Sequence, residues 1–122
     1  MPIINLKVSL PDDSENLQSI ANEVTNLTVK YLKKKSEVTA VTFLAVDREN
    51  WFINKTSLKE LNKNSFYLDI KVTDGTNSKD EKSEFVKAIF IYMSSILENL
   101  HTEDYVYVEE VKADAYGLCA FT

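Results

Sequence analysis

Few residues in this 122-residue chain are of a type and spacing to do chemistry. There is one histidine, His101, and one cysteine, Cys119. Neither has a second His or Cys at metal-ligand spacing, and no histidine pairs with the thiol to activate it. His101 follows a helical stretch and reads as its cap, and Cys119 reads as a packed thiol. No glycine-rich phosphate loop is present. What remains is a set of acids, cations and phenols. Tyr107 and Glu109 stand two apart in a strand-like run, so they share a face. Glu109 or Glu110 could supply a carboxylate to activate water. Lys33, Lys34 and Lys35 cluster at a helix end, where cations suit the helix dipole. Arg48 is the only arginine and stands three residues before Trp51, the only tryptophan. Pro2 follows Met1 directly, a common start that alone says nothing of function.

These residues are positioned by a short series of elements. Alternation from Pro2 to Leu10 predicts a strand, with Ile4, Leu6, Val8 and Leu10 on one side and Asn5, Lys7 and Ser9 on the other. Pro11, Asp12, Asp13 and Ser14 break it and offer capping oxygens. A helix is expected from Ser14 to about Lys34, its stripe formed by Leu17, Ile20, Ala21, Val24, Leu27 and Tyr31. A second strand is expected from about Val38 to Val46. The order then repeats. Phe66 to Thr73 reads as a strand and residues 74–77 as a turn, and Ser78 with Glu81 has capping-box spacing. The second helix runs to about Leu100, burying Phe85, Ala88, Ile89, Tyr92, Met93, Ile96 and Leu100. Tyr105 to Val111 is the last strand.

The halves also match residue by residue. Ile4–Val8 parallels Leu68–Val72 at an offset of 64, and Asp47–Trp51 parallels Lys112–Tyr116 at an offset of 65. This suggests an internal duplication, with units at about residues 1–54 and 65–119. Each strand–helix–strand unit should pair its strands in parallel through a right-handed crossover. Two units give an α+β sandwich: one domain over residues 1–122, with a four-stranded mixed sheet carrying both helices on one face. The other face carries apolar and aromatic side chains, which predicts an oligomer. A formal charge of −5 disfavours nucleic acid. No apolar run approaches a membrane span. The start has no signal-peptide pattern, and an unpaired cysteine fits a reducing cytoplasm.

A duplicated β-α-β unit beginning Met1-Pro2-Ile3-Ile4, with Trp51 after its second strand and Asp114-Ala115-Tyr116-Gly117 near its end, resembles the tautomerase superfamily. The likeness is to 4-oxalocrotonate tautomerase and macrophage migration inhibitory factor. Phe66 to Asn77 also resembles longer bacterial members of the 4-oxalocrotonate tautomerase family. The resemblance implies a cofactor-free isomerase. Met1 would be removed and Pro2, as a free secondary amine, would be the general base on a small keto-enol substrate. A free α-amino group titrates at about 7.7–8.0, and an apolar or cationic setting lowers it toward working pH. Lys7 and Lys71 are expected on the sheet, where they would add positive potential. The resemblance also implies substrate-binding positions at Lys34, Tyr107, Glu109, Trp51 and Tyr116, with Arg48 reaching in from a neighbouring subunit. It implies a homotrimer, with a dimer as the other assembly open to such chains.

Several positions depart from the family. Asp12 and Ala40 stand where small members carry carboxylate-binding arginines, and lysine is no simple replacement for arginine. Glu109 replaces a neutral amide and would repel an anionic substrate. Asn54-Lys55 and Cys119-Ala120 replace glycine pairs that allow positive φ. These departures keep two other readings open: a non-catalytic binding or structural module of the same fold, and a proline-dependent hydratase or dehalogenase using Glu109 or Glu110.

Overall fold

Alternating apolar residues build one face of the main sheet. The computed structural model describes residues 2–10, 14–115 and 117. In chain order the elements are β1 (Ile3–Val8), α1 (Ser14–Leu32), β2 (Ala40–Ala45), β3 (Phe52–Ile53), β4 (Thr56–Ser57), α2 (Leu58–Leu61), β5 (Phe66–Thr73), α3 (Lys79–Ile96) and β6 (Tyr105–Val111). The main sheet has the order β2-β1-β5-β6. Its outer pairs, β1 with β2 and β5 with β6, are parallel, and its central pair, β1 with β5, is antiparallel. This is the mixed sheet of two β-α-β units that the sequence predicts.

The core lies between the sheet and the two long helices. Ile4, Leu6 and Val8 of β1 and Phe66, Leu68, Ile70 and Val72 of β5 are buried. Ile20, Val24 and Leu32 of α1 and Phe85, Ile89 and Met93 of α3 meet them. Thr28 is also buried in α1, its hydroxyl donating to the Val24 carbonyl at 2.8 Å, so a polar group completes the stripe without an unpaired hydrogen. Ser78 caps α3: its hydroxyl accepts from the Glu81 N–H, and the Glu81 carboxylate accepts from the Ser78 N–H. These bonds hold the Glu81 carboxyl below its usual range.

The helices end earlier than periodicity suggests. Lys33 takes a positive φ of 58°, so α1 stops at Leu32 instead of Lys34. Beyond α3, Leu97 is extended and Asn99 turns at φ 53°, which leaves Leu100 in a bridge to Asn64 outside the helix. The structure also adds the β3–β4 hairpin and α2, which the sequence reading leaves unassigned. The hairpin turn keeps the shape expected of the missing glycines: Asn54 and Lys55 have φ of 50° and 68°. Two consecutive positive φ values mark a type I′ turn, which matches the twist of a two-residue hairpin. Asparagine tolerates that conformation, but lysine pays for its Cβ. The expected breaker Pro11–Asp13 and the Cys119-Ala120 pair lie outside the described residues.

Two changes test these local accounts in urea denaturation. Ser78→Ala should lower stability by about 1 kcal/mol through loss of the cap. Lys55→Gly should raise it by roughly 0.5–1 kcal/mol by relieving the left-handed lysine.

Candidate active site

The sheet presents one uncovered face, and its side chains fall in three rows set by the register. The middle row is Thr42, Asn5, Asp69 and Tyr107; at one end stand Ala40, Ile3, Lys71 and Glu109, and at the other Leu44, Lys7, Tyr67 and Tyr105. The middle row is hydrogen-bonded across the strands. The Thr42 hydroxyl donates to Asn5 Oδ1 at 2.6 Å, and Asn5 Nδ2 donates to Asp69 Oδ1 at 3.2 Å. Burial raises the Tyr67 phenol above its ordinary pKa, helped by the charge and hydrogen bond of Asp69.

Pro2 is buried at the first end. Its carbonyl accepts from the Ala40 N–H at 3.2 Å, which extends the parallel β1–β2 ladder to the start of the chain. Lys34 belongs to the same end, because α1 finishes beside the turn that follows β5. The Lys34 ammonium donates to the Thr76 hydroxyl at 2.9 Å, and Asn77 Nδ2 donates to the Leu32 carbonyl at 2.8 Å. Burial lowers the Lys34 pKa, partly offset by the Glu81 carboxylate. Lys71 lies 3.5 Å from Glu109 and 3.6 Å from Asp69, so its charge is shared between two carboxylates. Tyr107 stands one row further along, its ring stacked on Tyr105 at 6.1 Å and tilted against Tyr67 at 5.8 Å. Glu110 points the other way and pairs with Lys82 of α3, which pulls its carboxyl below the usual range. Among the sequence candidates, then, Pro2, Lys34, Glu109 and, more distantly, Tyr107 share one region.

Arg48 and Trp51 do not join them within the chain. Because β1 and β2 are parallel, the segment after β2 emerges beside the end of β1, about five strand residues or 17 Å from Pro2. Arg48 Nη1 donates there to the Lys63 carbonyl at 3.3 Å and approaches Asn62 Oδ1 at 3.5 Å, closing the loop after α2. The Trp51 carbonyl accepts from the Leu58 N–H at 2.9 Å. Tyr116 lies outside the described residues. His101 is a turn residue and not a helix cap: its N–H donates to the Asn64 carbonyl at 2.8 Å, and Nδ1 accepts from the Glu103 N–H at 2.9 Å.

Sequence reasoning missed Asp69 and Tyr67. Their signal was present in the offset of 64, which places Asp69 opposite Asn5 at the centre of the antiparallel pair. Among the described residues, no group of three His, Cys, Asp or Glu side chains is placed to hold a metal ion. Nor is any described helix long and apolar enough to cross a membrane.

Two parallel β-α-β units joined edge to edge, with both helices on one face, give this chain the fold of the tautomerase superfamily. Solved structures with this fold include a fused 4-OT asymmetric trimer, 12% identical over 98% of this chain and 94% of that one, with a TM-score of 0.82. The macrophage migration inhibitory factor-like protein of Entamoeba histolytica is 14% identical over 96% of this chain and 94% of that one, with a TM-score of 0.76. Pt0534, solved after inactivation by 2-oxo-3-pentynoate, is 8% identical over 97% and 92%, with a TM-score of 0.82. No family model and no curated protein matches the sequence.

The lowered Lys34 pKa has a definite sign. The folded chain disfavours the charged amine, so the unfolded chain binds more protons and stability rises with pH through this window. The stability difference between the parent and Lys34→Met should therefore shift in the parent's favour above neutrality. It should level off beyond the ordinary lysine pKa of about 10.4, as read by urea midpoints across pH.

Proposed function

We propose that this chain is a cofactor-free tautomerase whose general base is Pro2, exposed as a secondary amine by removal of Met1. The observation that carries this reading is the position of Pro2. It heads a central strand of a tautomerase-superfamily sheet, buried and tied to β2 through Ala40. The amine takes a proton from the carbon beside a carbonyl of a small keto-enol compound. The electron pair moves to the carbonyl oxygen, and the protonated amine returns the proton elsewhere on the conjugated system. Lys34 faces the developing negative charge, because Lys71 is already balanced by Asp69 and Glu109. Burial of Lys34 strengthens that interaction by lowering the local dielectric. Tyr107 shapes the apolar side of the pocket, and Glu109 limits the total negative charge a substrate can carry. The inactivation of Pt0534 by 2-oxo-3-pentynoate supports a small 2-oxo compound, a carboxylate included, as substrate class.

The assembly proposed is a homotrimer, as in the 4-OT neighbour, rather than a dimer. Leu44, Tyr105 and Tyr107 on the uncovered face are each about half exposed, at 54%, 45% and 52%, and a partner would bury them. Arg48 and Trp51 reach a Pro2 site only across such a subunit boundary. The setting proposed is the reducing cytoplasm.

A second reading, a non-catalytic binding module, is favoured by the neutralised Lys71 and by Ala40 standing where an arginine is expected. The two readings separate in one experiment. Intact mass first establishes loss of Met1 from natively expressed protein. Ketonisation of phenylpyruvate enol and of 2-hydroxymuconate is then followed by absorbance. The tautomerase should exceed buffer, rise with pH through the amine pKa, and fall by about 10²–10⁴-fold in a Pro2→Gly variant. A retained Met1, or no rate above buffer with Pro2 free, assigns the chain to the binding module.

A further inference from the structure

Lys34 differs from its neighbouring cations in how it is held. Lys71 has Asp69 at 3.6 Å and Glu109 at 3.5 Å, which fix its place and also cancel its charge. Of the three consecutive lysines after α1, Lys33 turns back onto the Lys30 carbonyl at 2.8 Å, and Lys35 is exposed. Lys34 reaches across to the second β-α-β unit, where its ammonium donates to the Thr76 hydroxyl at 2.9 Å. Among the described residues it makes no ion pair. The carboxylate whose charge it feels, Glu81, is turned onto the cap of α3, where it accepts from the Ser78 N–H at 2.8 Å.

The Thr76 hydroxyl meets that ammonium as an acceptor. Its one hydrogen goes to the Thr73 carbonyl at 2.6 Å, much closer than Asn77 Oδ1 at 3.5 Å. Only its lone pairs are left for Lys34, and the hydroxyl cannot rotate away without giving up the Thr73 bond. Gly75, at φ 79°, makes the turn that brings Thr76 back over Thr73. The turn is in turn fixed to α1. The positive φ of Lys33 ends that helix and leaves the Leu32 carbonyl without a helical partner, and Asn77 Nδ2 donates to it at 2.8 Å. The end of the first unit's helix and the turn of the second unit are therefore locked side by side. An ammonium has three donors, and one bond to Thr76 leaves two for a ligand.

We propose that Thr76 is a positioning residue for Lys34. Its neutral hydroxyl aims the ammonium into the Pro2 site and leaves the positive charge uncancelled, which an acidic partner could not do. The second unit thereby sets the cation that serves the base of the first. The oxygen that Lys34 meets rests on the tautomerase reading; the hold of Thr76 on Lys34 does not.

The Lys34 ammonium is followed in the full chain by NMR with isotope-labelled lysine, its signal assigned by loss in Lys34→Met. Expected is a slowly exchanging ammonium signal in the parent and in Thr76→Ser, which keeps the hydroxyl. It should vanish in Thr76→Val, which keeps the shape and loses the acceptor. With phenylpyruvate enol, Thr76→Val should lower kcat by about tenfold with KM changed by less than about twofold, and Thr76→Ser should restore it. In the Lys34→Met background Thr76→Val should cost nothing further, whereas a merely structural role would lower the rate equally in both backgrounds. Absence of the slow signal from the parent overturns the proposal, as does its persistence in Thr76→Val or additivity of the two losses. If the parent turns over no enol, the tautomerase reading fails, and the ammonium signal by itself decides for or against Thr76.

Discussion

The antiparallel pairing of β1 with β5 is the constraint on which the rest of the molecule depends. Each parallel β-α-β unit alone leaves a two-stranded sheet with one helix, too little to close a core. Joining the units through β1 and β5 puts Ile4, Leu6 and Val8 beside Phe66, Leu68 and Ile70 in one continuous apolar surface. Both long helices pack on that surface, and α1 packs on α3. A slip of one residue in this pairing would turn every buried side chain outward. The cross-strand bonds of Thr42, Asn5 and Asp69 on the opposite face keep the same register from the other side.

That register also decides which candidate residues meet. Parallel pairing carries the start of β1 to the start of β2, and antiparallel pairing carries it to the end of β5. The turn after β5, the end of α1 and Pro2 therefore gather at one edge. The same rule sends Arg48 and Trp51 to the opposite edge, because they follow β2 instead of preceding it. Separation of the aromatic from the proline within one chain is thus a consequence of topology and needs no special feature of either residue.

Much of this was legible in the sequence because it is periodic. Alternation gave β1, β5 and β6, the helical stripe gave α1 and α3, and Ser78 with Glu81 marked a helix start that the capping bonds bear out. The β3–β4 hairpin was not legible, because two-residue strands have no period and its turn uses Asn54 and Lys55 in place of glycine. Helix ends were overread, since Lys33, Leu97 and Asn99 change conformation without a glycine or proline to announce it. Lys34 was marked by its helix-end cluster and by the resemblance, and the structure sets it beside the turn after β5. The pairing of Lys71 with Glu109 was invisible, because it needs the β5–β6 register, and so was the bond between Asn5 and Asp69. The candidate site was thus readable as a set of positions but not as a balance of charge.

Charge balance distinguishes the two ends of the uncovered sheet face. Each β-α-β unit places one lysine on the uncovered sheet face, Lys7 in β1 and Lys71 in β5. A single carboxylate, Glu109, falls at the position that Leu44 holds in the first unit, and it removes the equality. Next to Pro2 the sheet lysine is neutralised, and the half-buried Lys34 is left as the cation. Next to Phe66 the sheet lysine makes no ion pair among the described residues and stands between Tyr67 and Leu44.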